Sequence, residues 1–426
     1  MYKQVNSLHI MNKKFWIIAA MCSALCAACN NEVDEIISQP ATDNDWITPD
    51  GKVIVQLGAQ SYDAGASVTR APLETLSDAE LGIFALNKGN NPNWTDGSDP
   101  DYNCLLNNIK GTVPVLENGE NIVDGTNASK IALWNTEATR EGSIYYYPMN
   151  NKYLYNFYAY APWQDTGVAV TANSATVTFN INGSQDIIYA SATAKPQTVL
   201  TSPDITNNST ENIDGYQAKY IRKIKYHNEI NDGREGTYPD LPYIPVLNFE
   251  HKLTQLKFNI IAATDQCQED IENAKLLSVK DIKMVNVNSE AKLDIIRGTF
   301  EWGESKTLPM QFSDANLTEP IFSIEGSVEG TIAGKDEEIG YTMLQPELTS
   351  YDLQLTIIPP VPTANQAQQP EEQTLTLTIK QANGAPFEAG KSYTVKIALY
   401  AMQKVKIEAT LSDWEDVNNP IVLPVE

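Results

Sequence analysis

Basic side chains are scarce in this 426-residue chain: 30 Lys and Arg stand against 54 Asp and Glu, for a formal charge of −24. Phosphate binding needs clustered Lys and Arg, so nucleic acid is excluded as a partner. The excess of acid suits a soluble, self-repelling surface outside the cell. Arginine is rare, with five in all, and Arg70 is the only one before Arg140. Histidine is rarer still: His9, His227 and His251. The chain has no HExxH motif, no His/Cys cluster and no Gly-rich phosphate loop. Their absence removes most zinc, nucleophilic and nucleotide chemistry, so neither a metal nor a cofactor nor an enzymatic activity is expected. Acidic pairs such as Glu337-Glu338 and Glu371-Glu372 could serve a glycosidase, which needs two carboxylates across a cleft. Acids are so abundant here that adjacency carries little weight. His251, in "FEHKL", reads as a hydrogen-bonded structural histidine on a strand.

Long apolar runs are also missing, with one exception near the start. Lys13-Lys14 precedes an apolar stretch from Phe15 to Ala28, and small residues then lead into Cys29. This is the layout of a secretory signal, and the stretch is too short to span a bilayer comfortably as a helix. Met11 is the expected start, because the residues before it add nothing a signal needs. "CAAC" at 26–29 resembles a bacterial lipobox, in which the cysteine is diacylated and becomes the new N-terminus. It departs from the usual pattern in carrying Cys26 three residues before Cys29, with Leu25 one further back. Ordinary signal cleavage near Ala28 is the alternative. The acidic "NNEVDEI" after Cys29 resembles the export tag of surface lipoproteins. Residues 1–28 are therefore read as a signal peptide and Cys29 as a lipidation site. Only Cys104 and Cys267 remain beyond it. They could pair, but a disulfide framework would be denser, so they read as isolated residues in separate domains.

What the chain does have is β pattern. Twenty tyrosines and many Thr, Val and Ile favour strands. After a polar tether over 30–50, "KVIVQLGAQ" (52–60) puts Val53, Val55 and Leu57 on one face. Short β-like runs then recur: "AELGIFALN" (79–87), "SIYYYP" (143–148), "KYLYNFYAYAPW" (152–163), "ATVTFNI" (175–181) and "DIIYAS" (186–191). Residues 192–241 are polar and read as one extended loop or insertion. "IPVLNFEHKLTQLKFNI" (244–260) resumes the pattern. A second series follows, with "LLSVKDIKMVNV" (276–287) and "AKLDIIRG" (291–298) as separate strands, then runs at 320–326, 340–346, 351–360, 373–380, 392–400 and 404–414. "QEDIENA" (268–274) is the one helix candidate. Strands of this length with turns between them predict an all-β chain of two tandem antiparallel β-sandwich domains. The division is expected near residue 262, with residue 240 as the alternative, giving domains over 71–262 and 263–426.

Two local readings stay open on these residues. Tyr153, Tyr155 and Phe157 share one strand face, with Leu154, Tyr158 and Tyr160 on the other. They form either a stacking platform for sugars or a central strand in a core. Arg70, in "ASVTRAPLE", is either a place where the chain is cut or a solvated loop charge.

The order of several segments carries a resemblance. Cys29 is followed by the first strand, "TRA" (69–71), "ELGIFAL" (80–86), "YYYP" (145–148) with "YNFYAYAP" (155–162), and "DIIYAS" (186–191). After these come "FEHKLTQLKFNI" (249–260), "YTMLQP" (341–346), "FEAGKSYTVKIAL" (387–399) and "ATLSDWED" (409–416). Together they resemble the fimbrillin family, the type V pilins and their lipoprotein relatives. The likeness runs over most of the chain after Cys29; the insertion at 192–241 and the atypical lipobox depart from it. The resemblance implies two transthyretin-like β-sandwich domains and export to the outer membrane as a lipoprotein. It implies that an arginine-specific protease cuts between Arg70 and Ala71, removing lipid, tether and first strand (29–70). A strand from another fimbrial subunit, often the C-terminal one, then fills the vacated groove.

That scheme has a physical basis, since a sandwich lacking a strand recruits an extended segment by β-augmentation. Val53, Val55 and Leu57 would fill the slot in the precursor, and Ile421, Leu423 and Val425 of the tail (417–426) offer a matching period of two. Burying three such side chains is worth roughly 5–9 kcal/mol gross. Pro424 stands against the tail as donor, because proline cannot donate to a ladder. The implied partners are other fimbrial subunits, the protease, the outer membrane through the lipid, and a host glycan or protein. The alternative is a surface glycan-binding lipoprotein that keeps its lipid.

Overall fold

The computed structural model describes residues 47–61, 76, 79–89, 92–95, 100–114, 128–135, 140–150, 152–231, 238–262, 278–312, 338–358, 371–400 and 404–412. In chain order come β1 (Gly58–Ser61), β2 (Leu81–Asn87), a one-turn helix α1 (Pro100–Asn103), β3 (Cys104–Thr112), β4 (Ser129–Lys130), β5 (Ala132–Asn135) and β6 (Arg140–Glu141). Then follow β7 (Tyr155–Ala161), β8 (Val168–Val170), β9 (Ala175–Asn180), β10 (Ile188–Ala192), β11 (Gln197–Leu200), β12 (Thr210–Ile213) and the helix α2 (Ala218–Asn231). The remainder is β13 (Val246–His251), β14 (Thr254–Ala262), β15 (Ser278–Asp294), β16 (Thr299–Pro309), β17 (Gln311–Phe312), β18 (Glu338–Leu344), β19 (Ser350–Ile358), β20 (Gln373–Lys380), β21 (Ser392–Tyr400) and β22 (Lys404–Ser412).

The all-β expectation holds. One sheet runs β4-β1-β13-β10-β7-β2-β3-β5-β6, a second β17-β18-β14-β21-β22, and a third β20-β19-β15-β9-β8 with β16 paired to β15. Most pairs are antiparallel; β1 with β13 and β14 with β21 are parallel. Sheet membership changes between His251 and Thr254, since β13 belongs to the first sheet and β14 to the second.

Burial follows the side-chain pattern of each strand. "ATVTFN" in β9 alternates, with Ala175, Val177 and Phe179 inside, as a strand with one face in a core must. "LGIFALN" in β2 is buried throughout, because this central strand has a core on each side. Phe84 and Leu86 join one apolar cluster, and Leu81, Ile83 and Ala85 the other. β7 divides the same way: Tyr158 and Tyr160 face the first cluster, Tyr155 and Phe157 the second.

Two expectations are corrected by the pairing. Residues 278–294 form one strand of 17 residues rather than two. Its first part is registered on β19 over Ser278–Val285 and its last part on β9 over Glu290–Asp294. One strand thus ties the C-terminal strands to the hairpin of β8 and β9. The turn into β16 is held by Gly298 at φ +65°, where an added Cβ would meet the Tyr189 ring at 2.3 Å. The stretch at 192–241 is also not one long loop: it holds the β11–β12 hairpin and α2. In α2, Tyr220, Ile221, Ile224 and His227 line a buried face at the spacing of helical turns. His227 locks this insertion together. Its Nδ1 accepts from the Leu200 N–H at 2.9 Å, and Nε2 lies 3.0 Å from the Pro239 carbonyl, to which it donates.

Candidate functional site

The segment 47–61 is where the sequence-derived strand meets the fold. A tight hairpin opens it: Ile47 bridges Val53, Gly51 sits at φ +83°, and the Lys52 N–H donates to Thr48 Oγ1 at 2.9 Å. From Val53 onward the side chains alternate. Val53, Val55, Leu57 and Ala59 are each at most 4% exposed, while Ile54 and Gln56 are half-buried. The four inward residues join the second cluster beside Ile83, Tyr155, Phe157, Leu247 and Phe249.

Backbone bonds seat the segment between its neighbours. Ile54 bridges Tyr146; the Val55 N–H donates to the Tyr145 carbonyl at 2.8 Å, and the Tyr147 N–H to the Val53 carbonyl at 2.9 Å. Further along, the Ile131 N–H donates to the Leu57 carbonyl and the Gly58 N–H to the Pro245 carbonyl, both at 2.9 Å. β1 then lies between β13, from Gly58↔Val246 to Ser61↔Phe249, and β4. Among the described residues the Gln56 N–H donates no hydrogen bond. Ile54 and Gln56 line a shallow groove closed by Ile221 of α2 and by Tyr243 and Ile244.

The surroundings are aromatic and dry. Tyr147 packs its ring 6.2 Å from both Tyr155 and Phe157. Its hydroxyl is buried with no hydrogen-bond partner among the described residues, and burial pushes it well above the ordinary phenol range. Burial raises Tyr155 and Tyr160 in the same direction. The Tyr155 hydroxyl donates to the Tyr102 carbonyl at 2.5 Å, and that of Tyr160 to Asn108 Oδ1 at 2.7 Å. Tyr153, Tyr155, Phe157, Tyr158 and Tyr160 are all buried, so the aromatic run is core and the sugar-platform reading of it fails. Every alternate ring has a cluster to enter, one on each face.

Other residues singled out in the sequence fall as follows. His251 Nδ1 lies 2.5 Å from Oδ2 of the fully buried Asp186, in keeping with a structural histidine. Cys104 is buried, and its thiol is pushed up to about 12 by desolvation. Cys29, Arg70, Ala71, Cys267, the 268–274 helix candidate, and Ile421, Leu423 and Val425 lie outside the described residues. The structure therefore sets Val53, Val55 and Leu57 together in one core and does not bear on the others. Sequence reasoning missed α2 and the Tyr243-Ile244 wall; the apolar set 220, 221 and 224 was the available signal. Among the described residues, no group of three or more His, Cys, Asp or Glu is placed to hold a metal ion.

Comparison with known proteins adds the following. A candidate cell-adhesion protein from Bacteroides uniformis is 15% identical, with a TM-score of 0.43, over 86% of this chain and 99% of that one. A fimbrial protein from Bacteroides vulgatus is 14% identical, with a TM-score of 0.42, over 84% of this chain and 99% of that one. The fimbrial anchor protein Mfa2 from Porphyromonas gingivalis is 10% identical, with a TM-score of 0.31, over 84% and 98%. A search of curated proteins finds no match. The family model described as fimbrillin-like matches residues 241–414, from the wall beside the first strand through β22. The chain thus carries a region over residues 241–414 that is similar to the fimbrillin-like family.

Proposed function

We propose that this chain is a structural subunit of a surface fimbria, exported as an outer-membrane lipoprotein on Cys29 and assembled by strand exchange. The observation that carries the reading is the seating of residues 53–61. An N-terminal segment is threaded into a sheet, with Val53, Val55, Leu57 and Ala59 in its core, and it lies upstream of Arg70. Cleavage between Arg70 and Ala71 would disconnect that strand from the domain it completes. Its departure would remove the hydrogen bonds that it makes to the Tyr145 carbonyl and to the N–H groups of Tyr147 and Ile131, over an open apolar slot. Unpaired strand edges of this kind recruit an extended segment from another chain. The partners are other fimbrial subunits and an arginine-specific protease, and the role is structural and adhesive rather than enzymatic.

Treatment of the full-length protein with an arginine-specific protease is expected to give a mature chain beginning at Ala71 and then a ladder of oligomers. Arg70→Ala is expected to stay monomeric under the same treatment. Surface material that retains residues 30–70 would instead support a lipid-anchored glycan-binding protein.

A further inference from the structure

The second sheet brings a lysine, an asparagine and a glutamate into line across three neighbouring strands. β14 lies between β18 and β21. Asn259 of β14 is registered on Glu338 of β18 and on Lys396 of β21. In no other described strand does the register set an asparagine between an acid and a lysine. We propose that the folded chain joins Lys396 to Asn259 by an amide between Nζ and Cγ, with Glu338 carrying the proton. The bridge is independent of the strand-exchange reading and stands or falls without it.

Side-chain alternation puts the three residues on one face. Leu256, Phe258 and Ile260 of β14 enter the first cluster, as do Tyr393, Val395 and Ile397 of β21. Lys257, Asn259 and Lys396 therefore lie on the opposite face. Glu338 reaches the same face, because its Oε2 lies 3.5 Å from Lys257 Nζ. A bulge places it there: the register passes from Phe258↔Gly340 to Asn259↔Glu338 and skips Ile339. Bulges re-aim side chains in this way. The row is also screened from water, since Asn259 is 8% exposed and Gln255 and Ser392, on the same face, are buried.

Adjacent strands lie about 4.8 Å apart, a gap that the four-carbon stem of a lysine spans. An amine held against a carboxamide gains the advantage of an intramolecular reaction, and the exchange needs a group that first takes a proton and then gives it back. The Glu338 carboxylate takes one proton from the Lys396 ammonium, and Nζ bonds to Asn259 Cγ and releases a second proton to solvent. The Cγ–Nδ2 bond breaks as Glu338 returns its proton to Nδ2, which leaves as ammonia. Nothing is oxidised or reduced. The product ties together two strands of the region over 241–414. Closing so long a loop restricts the unfolded chain, which suits a subunit that bears load in a fibre.

Tryptic mapping of the full-length protein by mass spectrometry tests this. Trypsin does not cut after an acylated lysine, so residues 258–275 and 392–404 are expected as one branched peptide. It should be lighter than the sum of its parts by one ammonia, about 17 Da. Lys396→Arg and Asn259→Ala are each expected to give the peptides singly. Glu338→Gln should slow bridge formation in freshly made protein by about a hundredfold. The bridged parent should also unfold at a higher urea concentration than Lys396→Arg. Separate peptides from the parent, with cleavage after Lys396, overturn the proposal, because the two side chains then share noncovalent contacts alone. A loss of ammonia mapped to Lys257 overturns the choice of Lys396. A Glu338→Gln protein that bridges at the parent rate overturns Glu338 as the proton carrier.

Discussion

Residues 53–57 and strand β14 do similar work in different ways. Each sends three alternate apolar side chains inward: Val53, Val55 and Leu57 in one case, Leu256, Phe258 and Ile260 in the other, all at most 4% exposed. Yet β14 is locked on both flanks, registered on β18 over Thr254–Asn259 and on β21 over Gln255–Ala262. The 53–57 segment is bonded to the body of the sheet through alternate groups on one flank, and Gln56 donates nothing among the described residues. Equal burial with unequal backbone bonding separates a strand that fills a core from one that cannot leave it. Apolar area holds both segments, but the ladder is what makes β14 permanent.

The contrast can be broken most directly by truncation. Phe258→Ala is expected to cost about 3–5 kcal/mol, as large aromatic truncations in cores do, and Val55→Ala about 2 kcal/mol. Urea unfolding of both variants measures this, and equal costs would erase the distinction. Hydrogen exchange sharpens it further, because the Val55 amide should exchange faster than those of Leu256 and Phe258 if the segment opens locally.

A smaller effect comes from alkali. Burial raises the hydroxyls of Tyr147, Tyr155 and Tyr160 above the ordinary phenol range. In the unfolded chain they ionise near pH 10. Below that pH both states are protonated and their contribution to stability is complete. As pH rises above it, the unfolded state loses protons first and stability falls until the folded values are passed. Unfolding midpoints should therefore drop above about pH 10, with phenolate absorbance appearing together with loss of structure. If Tyr147 and Tyr155 ionise in the folded protein near pH 10, the core beside the 53–57 segment is open to water.

The smallest expected change is at Tyr147, whose N–H holds the Val53 carbonyl. Tyr147→Phe keeps the ring and removes a buried hydroxyl that has no partner among the described residues. It should be neutral or stabilising by up to ~1 kcal/mol, since no hydrogen bond is lost. A destabilisation of that size in thermal melts would mean the hydroxyl is bonded after all.

Much of this was legible along the chain. The alternation of Val53, Val55 and Leu57, the split of the 153–160 aromatics between two faces, and the structural role of His251 all follow from side-chain period and residue type. What was not legible depended on partners distant in sequence. "LLSVKDIKMVNV" and "AKLDIIRG" look like two strands because polar residues interrupt the apolar pattern between them. They become one because β19 pairs with one end and β9 with the other. The helix α2 hid in a charged stretch, where its buried face is only four or five residues wide.

By itself, then, the sequence determined the strand content, the face each strand turns inward and the chemistry it cannot perform. These are local properties, set by a period of two and by which side chains avoid water. Tertiary structure alone decided that residues 58–61 enter a sheet between β4 and β13, that the Gln56 N–H makes no backbone hydrogen bond among the described residues, and that α2 and Tyr243-Ile244 stand beside Ile54 and Gln56 as a second wall. Hydrogen-bond vacancies and groove walls are made by segments nearly 200 residues apart, and no local pattern in either segment encodes the other.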